Sequence, residues 1–214
     1  MADRPPLKIA VMVSGRGSNV QAILDRIGEG RLNARIVLMI SSSTTAIALT
    51  IARDNNIPSH TLTIKQFSDE QEYVNSLLRL FEQHQTELIV LAGYLKMIPA
   101  QVVEHYRGRM INIHPALLPA FGGKGLYGRH VHEAVLAYGC KISGATVHLV
   151  EAEYDTGMPL IQRCVPVLQD DNADTLAARV LTVEHQILSE AIQLFADDRI
   201  KIRDGRAVIL TAKP

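Results

Sequence analysis

Short, continuous apolar runs alternate with amphipathic stretches through the first third of this chain, and few architectures accept that order. Residues 7–13 form a strand-length apolar run ending at Ser14-Gly15-Arg16-Gly17-Ser18-Asn19, after which Val20, Ile23, Leu24 and Ile27 recur at helical spacing. Residues 35–40 repeat the strand signature, and 46–55 predict a helix with Ile47, Leu49, Ile51 and Ala52 on its apolar side. A short strand is expected at 59–62. Ser68 is expected to cap a helix running to about residue 83, with Gln71 completing a capping box. Residues 88–92 are apolar throughout, as in a strand covered on both faces of a parallel sheet. This βαβαβ order predicts an α/β fold: a Rossmann-like, doubly wound, mostly parallel sheet flanked by helices, with right-handed crossovers.

The second half changes rhythm. A strand is expected at 110–113, a Gly-rich loop at 121–128, and a helix at 130–138 ended by Gly139. Strands follow at 145–150 and 160–167, then a long helix over about 175–195 with Asp174 as its cap. Residues 200–202 and 207–210 flank Arg203-Asp204-Gly205-Arg206, where Asp-Gly predicts a hairpin turn. No repeat, low-complexity tract or linker interrupts the chain. A single domain over 1–214 is expected, with an N-terminal lobe over about 1–100 and a C-terminal lobe over about 101–214.

Charge narrows the partners. The 22 basic and 22 acidic residues cancel and no long basic run occurs, which argues against nucleic acid as a main partner. Cys140 and Cys164 form no Cys-x-x-Cys pair and no disulfide framework, pointing to a reducing compartment. Apolar stretches are only strand-length, and Met1-Ala2-Asp3-Arg4-Pro5-Pro6 lacks a signal-peptide core. A soluble, cytoplasmic protein with no membrane partner is expected, with monomer and homodimer both open.

The densest chemistry lies in Met110-Ile111-Asn112-Ile113-His114-Pro115-Ala116-Leu117-Leu118-Pro119. Residues two apart share one face of a strand, so Asn112 and His114 point the same way where proline stops the strand. An amide donor beside a group that titrates near neutrality suits acyl or formyl transfer, in which an oxyanion appears and an amine loses a proton. Gly15-Arg16-Gly17-Ser18-Asn19, between strand and helix, is an anion site or a tight turn capped by Ser18 or Asn19. Its glycine spacing fits neither the dinucleotide fingerprint nor the Walker loop. The pair His130/His132 lacks accompanying ligands at metal spacing, so no metal is expected. His148 reads as a supporting residue on its strand. In Glu151-Ala152-Glu153-Tyr154-Asp155-Thr156-Gly157, Asp155 is expected to fold back on His114, raise its pKa and keep it protonated.

Taken together, these residues resemble the folate-dependent glycinamide ribonucleotide formyltransferases. The resemblance runs from Val11-Met12-Val13-Ser14-Gly15-Arg16-Gly17-Ser18-Asn19, through Leu91-Ala92-Gly93-Tyr94-Leu95-Lys96-Met97-Ile98 and Ile111-Asn112-Ile113-His114-Pro115, to Thr182-Val183-Glu184-His185. It implies the formyltransferase fold and transfer of a formyl group from 10-formyltetrahydrofolate, a co-substrate, to glycinamide ribonucleotide in purine (IMP) biosynthesis. It assigns Asn112, His114 and Asp155 to catalysis, with His148 close by. It assigns Gly17, Ser18 and Asn19 to the ribonucleotide phosphate and Glu184 to its ribose. Leu95, Lys96, Met97 and Ile98, with Asn112, are assigned to the folate, and 151–155 border the pteridine. Lys96 stands where many relatives carry Arg, and Lys65 is the basic residue nearest the position of a folate-tail arginine. The glycines of Phe121-Gly122-Gly123-Lys124-Gly125-Leu126-Tyr127-Gly128 suit a hinged flap.

Other readings separate on specific features. A methionyl-tRNA formyltransferase is expected to carry a further RNA-binding domain and a basic surface. Formyltetrahydrofolate deformylase uses water as acceptor, and the phosphate turn favours a phosphorylated amine instead. A sensor without activity would lack Asn112, His114 or Asp155. A dinucleotide reductase needs other glycine spacing and an acid closing the second strand, where Ser41-Ser42-Ser43 stands.

Overall fold

The computed structural model describes residues 4–203 and 206–211. In chain order the elements are β1 (Leu7–Val13), α1 (Ser18–Gly28), β2 (Ala34–Ser41), α2 (Ala48–Asp54), β3 (Ser59–Thr61), α3 (Glu70–Gln83) and β4 (Leu88–Leu91). There follow α4 (Ala100–His105), β5 (Met110–His114), α5 (Arg129–Tyr138), β6 (Ile142–Leu149), β7 (Pro159–Pro166), α6 (Ala173–Ala196), β8 (Ile200–Arg203) and β9 (Arg206–Ile209). Seven strands make one sheet in the order β3-β2-β1-β4-β5-β6-β7. The first five run parallel, whereas β6 and β7 are antiparallel to their neighbours.

Alternation along β1 explains why its whole length is apolar. Ile9, Val11 and Val13 face one core, with Val20 and Ile23 of α1, Ala48 and Ala52 of α2, Val131 and Val135 of α5, and the buried side of α6. Ala10 and Met12 face the opposite core, with Tyr73, Val74, Leu77 and Phe81 of α3 and Val102 and Val103 of α4. Each large apolar side chain withdrawn from water in this way contributes about 1.5–3 kcal/mol. A sheet covered on both faces leaves its strand ends free for chemistry, and the strand order reverses beside β1. The crevice between the carboxyl ends of β1 and β4 is therefore the natural place for a ligand.

Several expected details move. The cap of α3 is Asp69, one residue beyond Ser68: Asp69 accepts the Glu72 N–H at 2.8 Å, and Glu72 reaches back to the Ser68 N–H at 2.9 Å. Glu72 bonds the N–H of the residue before the cap, so no capping box closes, and Gln71 bonds Asn75 instead. The cap of α6 is Asn172 rather than Asp174, with Asn172 Oδ1 accepting the N–H groups of Asp174 and Thr175. Ile47 precedes α2 and is 61 % exposed, so it leaves the predicted apolar side. The short α4 and a 3-10 turn at Ile64–Gln66 were not expected from the sequence. β8 and β9 pair as an antiparallel hairpin, and its Asp204-Gly205 turn lies outside the described residues. No helix among the described residues is long and apolar enough to cross a membrane.

Candidate active site

A cleft of about 780 Å³ opens along the carboxyl ends of β1, β4 and β5 and across to α6. Asn112 and His114 project into it from the last turns of β5. Opposite them on β6, the register sets His148 against Asn112 and Thr146 against His114. Directly opposed residues of an antiparallel pair share a face, so the Asn112 amide meets the His148 ring: Asn112 Nδ2 lies 3.1 Å from His148 Nε2. His148 Nδ1–H donates to the Leu149 carbonyl at 2.7 Å, which leaves Nε2 as the acceptor for the amide. Thr146, which sequence reasoning passed over, braces the turn after His114. Its hydroxyl donates to the Ala116 carbonyl at 2.7 Å and accepts the Leu118 N–H at 3.1 Å. It sits two residues before His148 on an alternating strand, a signal open to view.

Asp155 does fold back onto His114. One carboxylate oxygen lies 3.6 Å from His114 Nδ1 and the other 3.6 Å from His148 Nε2, with all three side chains nearly buried. The Gly-rich loop closes the arrangement. His114 Nε2–H donates to the Phe121 carbonyl at 2.9 Å, and the Gly123 N–H donates to Asp155 at 2.9 Å. Phe121 and Asp155 both hold left-handed backbone, φ 55° and 56°, a conformation costing on the order of 1 kcal/mol or more for a side chain-bearing residue. The two bonds across the loop hold that geometry in place.

The expected rise in the His114 pKa is reversed. Burial pushes its pKa below the ordinary imidazole value and outweighs the opposing pull of Asp155 and of the Phe121 carbonyl. The Asp155 carboxyl is also low. Burial works to raise it, but His148, the Gly123 N–H and His114 together more than compensate. His132, on α5, weighed from the sequence only as a metal ligand, lines the cleft, is 3 % exposed, and its Nδ1 has no partner among the described residues. Burial and then the neighbouring His114 lower its pKa. The helical spacing of Val131 and Val135 marked that face of α5 as inward. His130, by contrast, is exposed and bonds Glu133. Among the described residues no three His, Cys, Asp or Glu side chains are grouped to hold a metal ion.

At the β1 end, α1 begins at Ser18 with Gly17 as its cap at φ 81°, and no side chain caps the helix. Capping by Ser18 or Asn19 therefore fails, and among the described residues no side chain takes up the first N–H groups of α1. Ser18 and Asn19 line the cleft with Arg16; Gly17 does not. A Cβ at Gly17 would lie 2.8 Å from that of Ala48, so glycine shapes the turn from behind. The Asn19 side chain turns inward, its amide donating to Glu184 at 3.1 Å. Burial raises the Glu184 pKa, with the Asn19 bond pulling the other way. Leu95, Lys96, Met97 and Ile98 line the far wall, as do residues 151–155. Lys65 is exposed on the 3-10 turn and is not among the lining residues.

Comparison with known proteins identifies the family. A sequence model of the formyl transferase family matches residues 7–192. The chloroplastic phosphoribosylglycinamide formyltransferase of Vigna unguiculata is 40% identical over 205 residues, 94% of this chain and 65% of that protein. The phosphoribosylglycinamide formyltransferase of Escherichia coli K12 is 35% identical over 201 residues, 94% of this chain and 92% of that protein. The crystal structure of glycinamide ribonucleotide transformylase 1 from Symbiobacterium toebii superposes with a TM-score of 0.89 at 35% identity, covering 96% of this chain and 95% of that one. The chain belongs to the formyl transferase family and, within it, to the phosphoribosylglycinamide formyltransferases.

Proposed function

We propose that this cleft transfers the formyl group of 10-formyltetrahydrofolate to the amine of glycinamide ribonucleotide, the step of purine biosynthesis its family performs, with Asn112, His114 and Asp155 as the catalytic groups. The observation that carries the assignment is the convergence of Asn112, His114, His148 and Asp155 on one cleft that also takes in the open N-terminus of α1. The ribonucleotide phosphate sits on the turn at Gly17, Ser18 and Asn19, and its ribose hydroxyls on Glu184. The folate lies along Leu95, Lys96, Met97 and Ile98, its pteridine against 151–155.

The amine nitrogen attacks the formyl carbon, and the carbonyl electron pair moves onto oxygen. Asn112 donates to that oxyanion through its amide. His114 Nε2 exchanges the Phe121 carbonyl for the oxyanion, since that loop oxygen occupies the same donor. The proton lost by the attacking nitrogen is taken up by His114 and passed to the folate nitrogen as its bond to carbon breaks, and the carbonyl re-forms. Asp155 orients the imidazole and favours its charged form once the oxyanion develops. Holding two substrates side by side removes much of the entropy cost of their encounter, worth several kcal/mol or more. Cytoplasmic location belongs to the same reading and is supported by two free cysteines.

The test is formyl transfer from a 10-formyl folate analogue to glycinamide ribonucleotide, followed by absorbance, with His114→Ala alongside. Turnover that requires the ribonucleotide and collapses in the variant is the expected result. Release of the formyl group without the amine would mean hydrolysis and refute the assignment.

A further inference from the structure

The carboxyl ends of β2, β1 and β4 lie side by side, and one hydroxyl joins all three. Ser14 is the first residue beyond β1 and Ser42 the first beyond β2. The Ser14 N–H donates to the Gly93 carbonyl at 3.1 Å, just past β4, and the Ser42 N–H donates to the Val13 carbonyl at 3.0 Å. Ser14 Oγ accepts the Leu95 N–H at 2.9 Å and is hydrogen-bonded to Ser42 Oγ at 2.7 Å. Backbone and side chain of one residue thus hold the same loop at two points. Downstream of Ser14, Arg16 and Ser18 border the cleft; downstream of the Leu95 N–H, Lys96, Met97 and Ile98 border it from the other side. Neither Ser14 nor Ser42 lines the cleft.

We propose that Ser14 is a positioning residue that couples the two ligand subsites, so that ribonucleotide seated on the turn after β1 tightens folate held by the segment after β4, and the reverse. The proposal rests on the subsite assignment above. Coupling needs a structural element that both ligands bias. Here a shift of the turn after β1 moves the oxygen that accepts the Leu95 N–H, and so moves the segment carrying Lys96 and Met97. Replacing Ser14 with alanine deletes that acceptor while removing no atom that borders either ligand.

The experiment is calorimetric titration of a folate analogue lacking the formyl group, which cannot react, with and without saturating glycinamide ribonucleotide. In the unaltered chain the ribonucleotide tightens the analogue about fivefold or more, the lower end of ordinary coupling between sites. In Ser14→Ala each ligand still binds alone but the coupling falls toward unity, and Ser14→Thr, which keeps the hydroxyl, restores it. Independent binding in the unaltered chain, or undiminished coupling in Ser14→Ala, overturns the proposal. Should Ser14→Ala fail to fold, Ser42→Ala must lower the coupling by itself, and an unchanged factor there is equally fatal. Failure of both ligands to bind the unaltered chain would instead sink the subsite assignment, and the coupling with it.

Discussion

Asn112→Ala probes the oxyanion assignment where the geometry is most specific. The Asn112 amide carries two hydrogens. One is committed to His148 Nε2 at 3.1 Å, and His148 is itself held by the Leu149 carbonyl at 2.7 Å. The amide is thereby fixed in rotation before any substrate arrives, with its other hydrogen left for the cleft. A pre-oriented donor of this kind contributes about 2.7–4 kcal/mol to an oxyanionic transition state, so kcat should fall roughly 100- to 1,000-fold. Alanine also strips His148 Nε2 of its partner, a loss of about 1 kcal/mol in stability. For a chain of this length that is a drop of about 2–4 °C in Tm. Initial rates of formyl transfer over a matrix of both substrates, with a thermal melt, separate the two effects. His148→Ala is the reference, because it frees the amide to rotate but leaves its hydrogens, and its rate loss should be the smaller. A kcat within about threefold of normal, or a deficit lying wholly in KM, would mean that Asn112 binds ground state and transition state alike and would refute the reasoning.

Gly157→Ala should disable the site from behind: the added Cβ would lie 1.8 Å from the Leu149 carbonyl, so the loop carrying Asp155 must shift, and a displacement near 1 Å costs on the order of 100-fold in rate; normal kcat in this variant would show that Asp155 need not be held in place. Glu184→Gln should raise Tm at pH 7–8, because it removes a buried carboxylate whose pKa burial has raised and gives a donor to Asn19 Oδ1, which has no partner among the described residues; the same change should weaken ribonucleotide binding, and a lowered Tm would contradict the burial argument. Acid should destabilise the fold in two stages. Burial depresses His114, His132 and His185, so the unfolded chain takes up protons first as pH falls through about 6.5, and their contribution, complete above that value, is lost below it; Asp155 and Asp171, also depressed, withdraw theirs below about 3.8. Melts between pH 8 and 5 check the first stage, and a flat Tm across that range would exclude it.

Much of this was written in local sequence. Continuous apolar runs identified β1, β2 and β4 because a strand buried on both faces has no polar side, and period-two alternation put Asn112 and His114 on one face of β5 without any tertiary knowledge. What escaped was set by longer-range geometry. The Asp69 cap displaced Ser68 by one residue because both are competent acceptors and only the helix start decides between them. The spacing of Val131 and Val135 marked the face of His132 as inward, but that it borders the cleft depended on α5 packing beside α6, which no local spacing reveals. The Phe121 carbonyl is invisible to any reading of side chains, since it is a backbone oxygen carried over the site by left-handed geometry at a non-glycine residue. The Ser14–Ser42 pair unites residues 28 positions apart through strand order alone.

His114 carries the sharpest conflict of forces in the site. Both ring nitrogens face acceptors, Nε2 the Phe121 carbonyl at 2.9 Å and Nδ1 the Asp155 carboxylate at 3.6 Å, an environment built for an imidazolium. Burial nevertheless prevails and lowers its pKa. Asp155 alone does not settle the charge, because the cost of removing a cation from water in an enclosed site exceeds what one imperfectly placed counter-charge returns. The deficit has a chemical use. A histidine already charged in the free protein would gain less from an oxyanion than one whose charged form burial disfavours, which gains an additional favourable partner when negative charge appears about 3 Å from its ring. The developing oxyanion then supplies the stabilisation that Asp155 lacks by itself, and that stabilisation arrives in the transition state instead of the ground state. On this argument Asp155→Asn should lower kcat far more than it raises either KM, and should move the acid limb of the kcat profile to lower pH, since the imidazolium then has only the oxyanion to sustain it. A loss confined to KM, with the acid limb in place, would mean that Asp155 merely shapes the folate loop.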